Sequence, residues 1–168
     1  MKDTQGCIWL HCDNALHRIE FNDKGEVQIL STLSPVYLNG PDIALKDIDE
    51  DGKIWMGNNG EIRKVALSPQ KRLITIPIAD CLKFETGTYI SDFLCKENEV
   101  WISSDRGLFR YNKSGNVIKR YEHDSGNSYS LSQNYLTSLA ITSDKQLIVA
   151  TLRGINIYNP MTDLSLIH

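Results

Sequence analysis

Three tryptophans at one interval, an apolar triplet around each, and a turn-forming tetrad before each predict an all-β chain. The predicted unit is a four-stranded antiparallel blade, the building block of a β-propeller. Trp9, Trp55 and Trp101 are spaced by 46 residues, and Ile148 continues the register 47 residues later. A unit of this length is too short for a repeated βαβ module and suits four short strands. The 168 residues then hold about four blades, with repeats at about 1–40, 41–86, 87–132 and 133–168.

Each repeat opens on a polar, turn-prone tetrad: 3–6, 49–52, 96–99 and 143–146. The triplets follow: Ile8-Trp9-Leu10, Ile54-Trp55-Met56, Val100-Trp101-Ile102 and Leu147-Ile148-Val149. They do not alternate apolar with polar, which predicts a strand covered on both faces. A short polar turn comes next, and a third strand begins at Gly60, Gly107 or Gly154, with Ala15 in the glycine's place in the first repeat. The third repeat predicts strands at 89–96, 100–103, 108–111 and 117–122. The last of these carries Lys119 and Arg120, charges that suit a rim edge. Asp51-Gly52, Ser114-Gly115 and Lys24-Gly25 supply turn chemistry. Leu131, Tyr135, Leu136 and Leu139 also fit a helical period, but the repeat register makes 135–142 the inner strand of the fourth blade, with at most a turn of helix at 132–135.

Composition excludes several classes. Hydrophobic residues make up 41% and charged residues 23%, values of a globular chain, and the net charge is −3. That balance gives no basic footprint for nucleic acid and no polybasic surface for a membrane. The longest clean apolar run is 147–150, far short of a span, and the first residues lack a signal-peptide pattern.

Chemistry-bearing residues are sparse. Cys7, Cys12, Cys81 and Cys95 form no CxxC. Cys7, His11, Cys12 and His17 lie close in sequence, but a strand sends Cys12 to the face opposite Cys7 and His11, so buried reduced thiols are the expectation and no metal is expected. The histidines His11, His17, His123 and His168 have no partnered serine or cysteine motif, and no phosphate-cradling loop occurs. Asn112-Lys113-Ser114 is a formal glycosylation acceptor. The chain is expected to be no enzyme and to need no cofactor.

The pattern D-x-x-G-x-[IV]-W-[IVM], then G-L-F-R-Y at 107–111, then Tyr121-Glu122-His123-Asp124 running into Ser130-Leu131-Ser132-Gln133-Asn134, resembles a known repeat. It is similar to the two-component regulator propeller repeats in the sensor half of hybrid two-component systems, especially of gut Bacteroidetes. The resemblance covers the whole chain and is strongest over 89–160. The departures are Ile148 for tryptophan, His11-Cys12 for small residues, and Ala15. It implies a periplasmic, ligand-sensing propeller in a membrane-anchored protein that also carries a histidine kinase, with this chain an incomplete half of a larger propeller. An oligosaccharide is the implied ligand; a protein-interaction platform and a structural segment without a ligand are the alternatives. An incomplete ring also predicts self-association through the terminal blades.

A blade opens the turn between its second and third strands on the same face as the loop from its outer strand to the next blade. Here those turns are 13–14, 58–59, 105–106 and 152–153, and the long loop is 123–134. Arg106 and Arg153 occupy one repeat position in successive blades, which suits a carboxylate or sulfate on an acidic oligosaccharide. Asn58 and Asn59 would add contacts to sugar hydroxyls. Pairing of the arginines with Asp105, Asp124 or Asp144 is the competing reading.

Overall fold

The computed structural model describes residues 1–3, 5–12, 15–33, 44–58, 61–76, 84, 87–112, 114, 116–159 and 164–167. Among them are fifteen strands and no helix. Residues 132–135 hold no helical turn: Leu131, Leu136 and Leu139 are buried while Tyr135 is exposed, an arrangement set by a loop entering a strand. The turn at 13–14, Asn59, Gly60, Cys81, Lys113, Gly115 and His168 lie outside the described residues.

The chain divides into two compact units, Met1–Ile78 and Ala79–His168, and each holds two sheets. In the first unit, β1 (Ile8–Cys12), β2 (Ala15–Phe21) and β3 (Val27–Leu33) make a three-stranded meander. A single bridge from Lys2 to Ile8 lies at the free edge of β1. Strands β4 (Ala44–Ile48), β5 (Ile54–Asn58), β6 (Glu61–Leu67) and β7 (Leu73–Ile76) make the second sheet. In the second unit, β8 (Ile90–Lys96), β9 (Glu99–Ser104), β10 (Gly107–Asn112) and β11 (Val117–Tyr121) form one sheet. Strands β12 (Leu136–Ile141), β13 (Leu147–Thr151), β14 (Gly154–Asn159) and β15 (Leu164–Ile167) form the other. Every strand pairs antiparallel with its sequence neighbour, the order predicted for blades.

Strand alternation explains how sheets pack within each unit. Trp9 faces one way from β1 and meets Ile54 and Met56 of β5, with Leu16, Leu33, Val65 and Leu73 completing the core. Trp101 of β9 likewise meets Leu147 and Val149 of β13, with Leu108, Leu136 and Tyr158. In both units the tryptophan faces the following sheet, and the two residues flanking the next triplet's centre face back. Each fully buried aliphatic residue here contributes about 1.5–3 kcal/mol.

The both-face burial predicted for the triplets holds for β5 and β9, whose triplets are buried. It fails in β1, where Leu10 is 44% exposed. The Trp9 side of that sheet packs on the second sheet, while on the other side Ile19, opposite Ile8, is buried and Leu10 stays open. Ile148, in the tryptophan position of β13, is half-buried.

The inner strands share a bulge. Register shifts between Leu45 and Asp47, between Ile90 and Asp92, and between Leu136 and Ser138. The bulge frees a polar side chain at the next position. Asp92 uses it to tie two blades: its Oδ2 accepts from the Ser138 hydroxyl and the Leu139 amide, both at 2.9 Å.

Candidate functional site

The turn tetrads do more than reverse the chain. Asp3 Oδ1 accepts from the amides of Gln5 and Cys7, while Oδ2 accepts from the Trp9 indole at 2.9 Å. Asp49 repeats the pattern with Asp51, Lys53 and the Trp55 indole at 3.0 Å. A cation covers each ring: Arg18 over Trp9, Lys64 over Trp55 and Arg110 over Trp101, at 5.8, 4.0 and 5.0 Å from the ring centroids. Burial pushes the Asp3 carboxyl up, but the Trp9 indole, the Cys7 amide and Arg18 outweigh it and hold it below the ordinary carboxylate range. The ionised form therefore stabilises the fold at neutral pH, and that contribution is lost as pH falls through the lowered value.

The second unit carries Arg106 and Arg153, the arginines that the sequence nominates. The turn holding Arg106 is clasped by Ser104, whose hydroxyl accepts from the Arg106 amide and donates to the Gly107 carbonyl. Thr151 clasps the Arg153 turn identically. One loop, 122–135, ties both turns together. Its Asn134 carbonyl accepts from the Gly107 amide at 2.9 Å, and its Ser132 hydroxyl meets Thr151 Oγ1 at 3.2 Å. Gly107 is required at this junction: its φ is +110°, and a Cβ would lie 2.4 Å from the Tyr121 carbonyl oxygen.

The loop is held by its own polar groups. The His123 amide donates to Asn134 Oδ1, and its ring Nδ1 lies 2.6 Å from the Leu131 carbonyl. Asp124 and Ser130 bracket the loop tip, and Ser132 exchanges bonds with the buried Asn156. Leu131 anchors the loop in the core.

Arg106 and Arg153 thus sit at equivalent turns of neighbouring blades. Arg106 is half-buried and its carbonyl accepts from Arg120 Nη2, while Arg153 is exposed. Asn58 ends β5 in the first unit, and its side chain, like Asn59, lies outside what is described. Trp9, Trp55 and Trp101 lie in β1, β5 and β9, and Gly107 and Gly154 open β10 and β14, with Gly154 at φ 143° beside Thr151. Asp105 accepts from the Tyr89 amide and Asp124 from the Gly126 amide, each through Oδ1.

The first-repeat cysteine and histidine residues diverge. Cys7 is buried, Cys12 is exposed, and His17 Nδ1 lies 3.0 Å from Thr32 Oγ1. Among the described residues no three metal-ligating side chains come together. No helix among them is long and apolar enough to cross a membrane.

Beside the long loop is a cavity of about 330 Å³ against β11, floored by Tyr121 and Tyr158 and rimmed by Glu122, Asp124, Asn127 and Tyr129. Tyr121 and Tyr158 join two blades through hydroxyls 2.7 Å apart, with Trp101 packed on both rings. Arg110 continues the network: it grips Glu99 through Nε and Nη2 and bonds Tyr121, and Glu99 holds its guanidinium more firmly protonated than usual. Sequence reasoning missed this cavity. Its one signal was three tyrosines, at 121, 129 and 158, in a chain whose aromatic content is 8%.

No protein-family profile matches the chain, and no curated protein matches it. Solved structures do. The chain is similar to the extracellular domain of a hybrid two-component system of B. thetaiotaomicron, with a TM-score of 0.67 and 21% identity over all of this chain and 21% of that one. A second such domain, from a one-component system of the same organism, gives a TM-score of 0.69 at 18% identity, covering 99% of this chain and 24% of the other. Virginiamycin B lyase from Staphylococcus aureus gives 0.63 at 16% identity, over all of this chain and 53% of the lyase. These likenesses establish the fold as all-β propeller blades. The sensor domains are the proteins that the repeat motif itself resembles, and the chain spans about a fifth to a quarter of their length.

Proposed function

We propose that the chain is a ligand-recognising part of the periplasmic sensor region of a two-component system protein, that its ligand is an acidic oligosaccharide, and that it is not itself catalytic. The observation that supports this best is the loop 122–135. It is ordered by its own hydrogen bonds and bonds to both arginine-bearing turns. Two guanidinium forks in equivalent positions suit carboxylate or sulfate groups, and their planar donors favour such anions over neutral hydroxyls. The polar groups that acid–base chemistry would need are engaged in holding the loop: His123 with Leu131, Ser130 with Asp124, and Ser132 with Asn156.

Calorimetry of the intact sensor with acidic and neutral oligosaccharides tests the reading. Replacing both Arg106 and Arg153 by alanine is expected to weaken the acidic ligand by about tenfold or more, the scale of losing charge-assisted hydrogen bonds. Unchanged affinity removes the arginine site.

Self-association is a second reading, favoured by the first sheet. There the rim strand β3 exposes Val27 and Ile29, and its neighbour β2 exposes Phe21, at 56%, 63% and 55%. An apolar edge strand is a template for pairing with another copy. Light scattering of the chain across a concentration series is expected to show dimers, and a strict monomer at the highest concentration removes this reading.

A further inference from the structure

The geometry points to a binding site for a neutral sugar ring in the cavity beneath the loop 122–135, separate from the arginine turns. For its biological meaning the inference rests on the sensor reading above; its chemistry stands on the cavity alone.

The cavity, about 330 Å³, is in the range of small-ligand sites. Its charges balance. Lys119 lies over the Tyr121 ring at 4.8 Å, and Arg120 pairs with Glu122 Oε1 at 2.8 Å. Against these two cations stand the carboxylates of Glu122 and Asp124. Several polar atoms at the rim keep bonding capacity. Asp124 uses Oδ1 for the Gly126 amide, and Asn127 uses Oδ1 for the Tyr129 amide. Among the described residues, Asp124 Oδ2, Glu122 Oε2 and the Asn127 side-chain NH₂ have no further partner. Two acceptors and a paired donor match a ligand that carries hydroxyls, since each hydroxyl both donates and accepts.

The carboxylates also favour a neutral ligand over an acid. An anionic group placed against Asp124 or Glu122 meets like charge there, whereas a hydroxyl can donate to the same oxygens. A neutral ring meets no such barrier. Tyr129 is 56% exposed at the rim, an aromatic surface held on a loop whose backbone is fixed. It offers the apolar face of a sugar ring a platform at little cost in conformational entropy. Arg120 donates to the Arg106 carbonyl, so the cavity adjoins the Arg106 turn. A neutral unit here and an acidic unit at the arginines would be neighbours in one oligosaccharide.

Saturation-transfer NMR and calorimetry on the whole chain test the site, with glucose, galactose, mannose, maltose and cellobiose as neutral probes and glucuronate and inorganic sulfate as anionic ones. At least one neutral probe is expected to bind, with the anions weaker. Tyr129→Ala and Asn127→Ala are expected to lower that affinity by about five- to tenfold each, and Tyr129→Phe to retain it. Both side chains are exposed, so the variants should fold, and unchanged circular dichroism verifies this. Glu122→Gln is expected to narrow the preference against glucuronate. Neutral binding that survives Tyr129→Ala overturns the site, and so does binding of no neutral probe or a preference for glucuronate. Replacing Arg106 and Arg153 separates the two readings. If that pair abolishes acidic binding while Tyr129→Ala changes nothing, the sensor reading stands and this cavity falls; if the dependence is reversed, the cavity stands without the arginines.

Discussion

The two units hold the same tryptophan position by different chemistry. In the first, an aspartate six residues upstream reaches the indole: Asp3 for Trp9 and Asp49 for Trp55. In the second, that upstream position is Cys95, and Trp101, covered by a cation like the other two rings, packs instead on the rings of Tyr121 and Tyr158. The lesson is that the repeat conserves a place for a large ring between two sheets, not one way of satisfying it. The aspartate solution joins turn and core in one side chain. The aromatic solution shifts the work to β11 and β14 and opens a cavity beside them.

The largest effect expected from breaking that contrast is at Asp49, which is buried and serves three donors. Asp49→Ala removes the turn clasp and leaves the Trp55 indole N–H buried without its acceptor. The combined cost is expected to be about 3 kcal/mol, from an orphaned buried donor and a lost cap-like bond. Thr142 occupies the corresponding position in the fourth repeat and clasps only its turn, accepting from the Gln146 amide. Thr142→Ala should therefore cost about 1 kcal/mol. Asp49→Asn sharpens the comparison, because its amide oxygen can keep the turn while its NH₂ cannot accept from the indole. Urea denaturation followed by tryptophan fluorescence reads all three, and equal losses for Asp49→Ala and Thr142→Ala would show that the indole bond contributes nothing.

Much of this was legible in the sequence because period and strand type are local properties. The spacing of Trp9, Trp55 and Trp101 set the blade, and every predicted strand of the third repeat lies within one residue of its observed bounds at each end. What escaped notice joins residues that sequence separates. The acidic tetrads read correctly as turns, yet the second oxygen of Asp3 or Asp49 finds its indole only once the strand has formed. Asp92 reaches Ser138 and Leu139, 46 and 47 residues away, and nothing in its own segment marks it as a tie between blades. Leu10 misled because an apolar triplet reports the repeat's usual surroundings, while exposure depends on which sheets are there to cover it. At the site, the equivalence of Arg106 and Arg153 followed from register, whereas the tyrosine-floored cavity depended on where the loop 122–135 folds back.

The smallest effect concerns the third step of the same turns. Gly6 and Gly52 take φ of +86° and +73° there, and each donates its amide back to the carbonyl of the turn's aspartate. In the fourth repeat Lys145 fills that position at φ 68° and donates to the Thr142 carbonyl at 3.0 Å. A side chain in this left-handed conformation costs about 1–2 kcal/mol, and glycine avoids that at an entropic cost of about 0.5–1 kcal/mol. The Lys145 ammonium lies 3.8 Å from Glu97, but both side chains are about 70% exposed, so the pair adds little. Lys145→Gly is therefore expected to stabilise the second unit by about 0.5 kcal/mol. A rise in the urea midpoint without a change in slope would show it. A fall would mean that Lys145 makes a contribution beyond its turn, and the fourth repeat would then differ from the first two in more than the identity of its clasp.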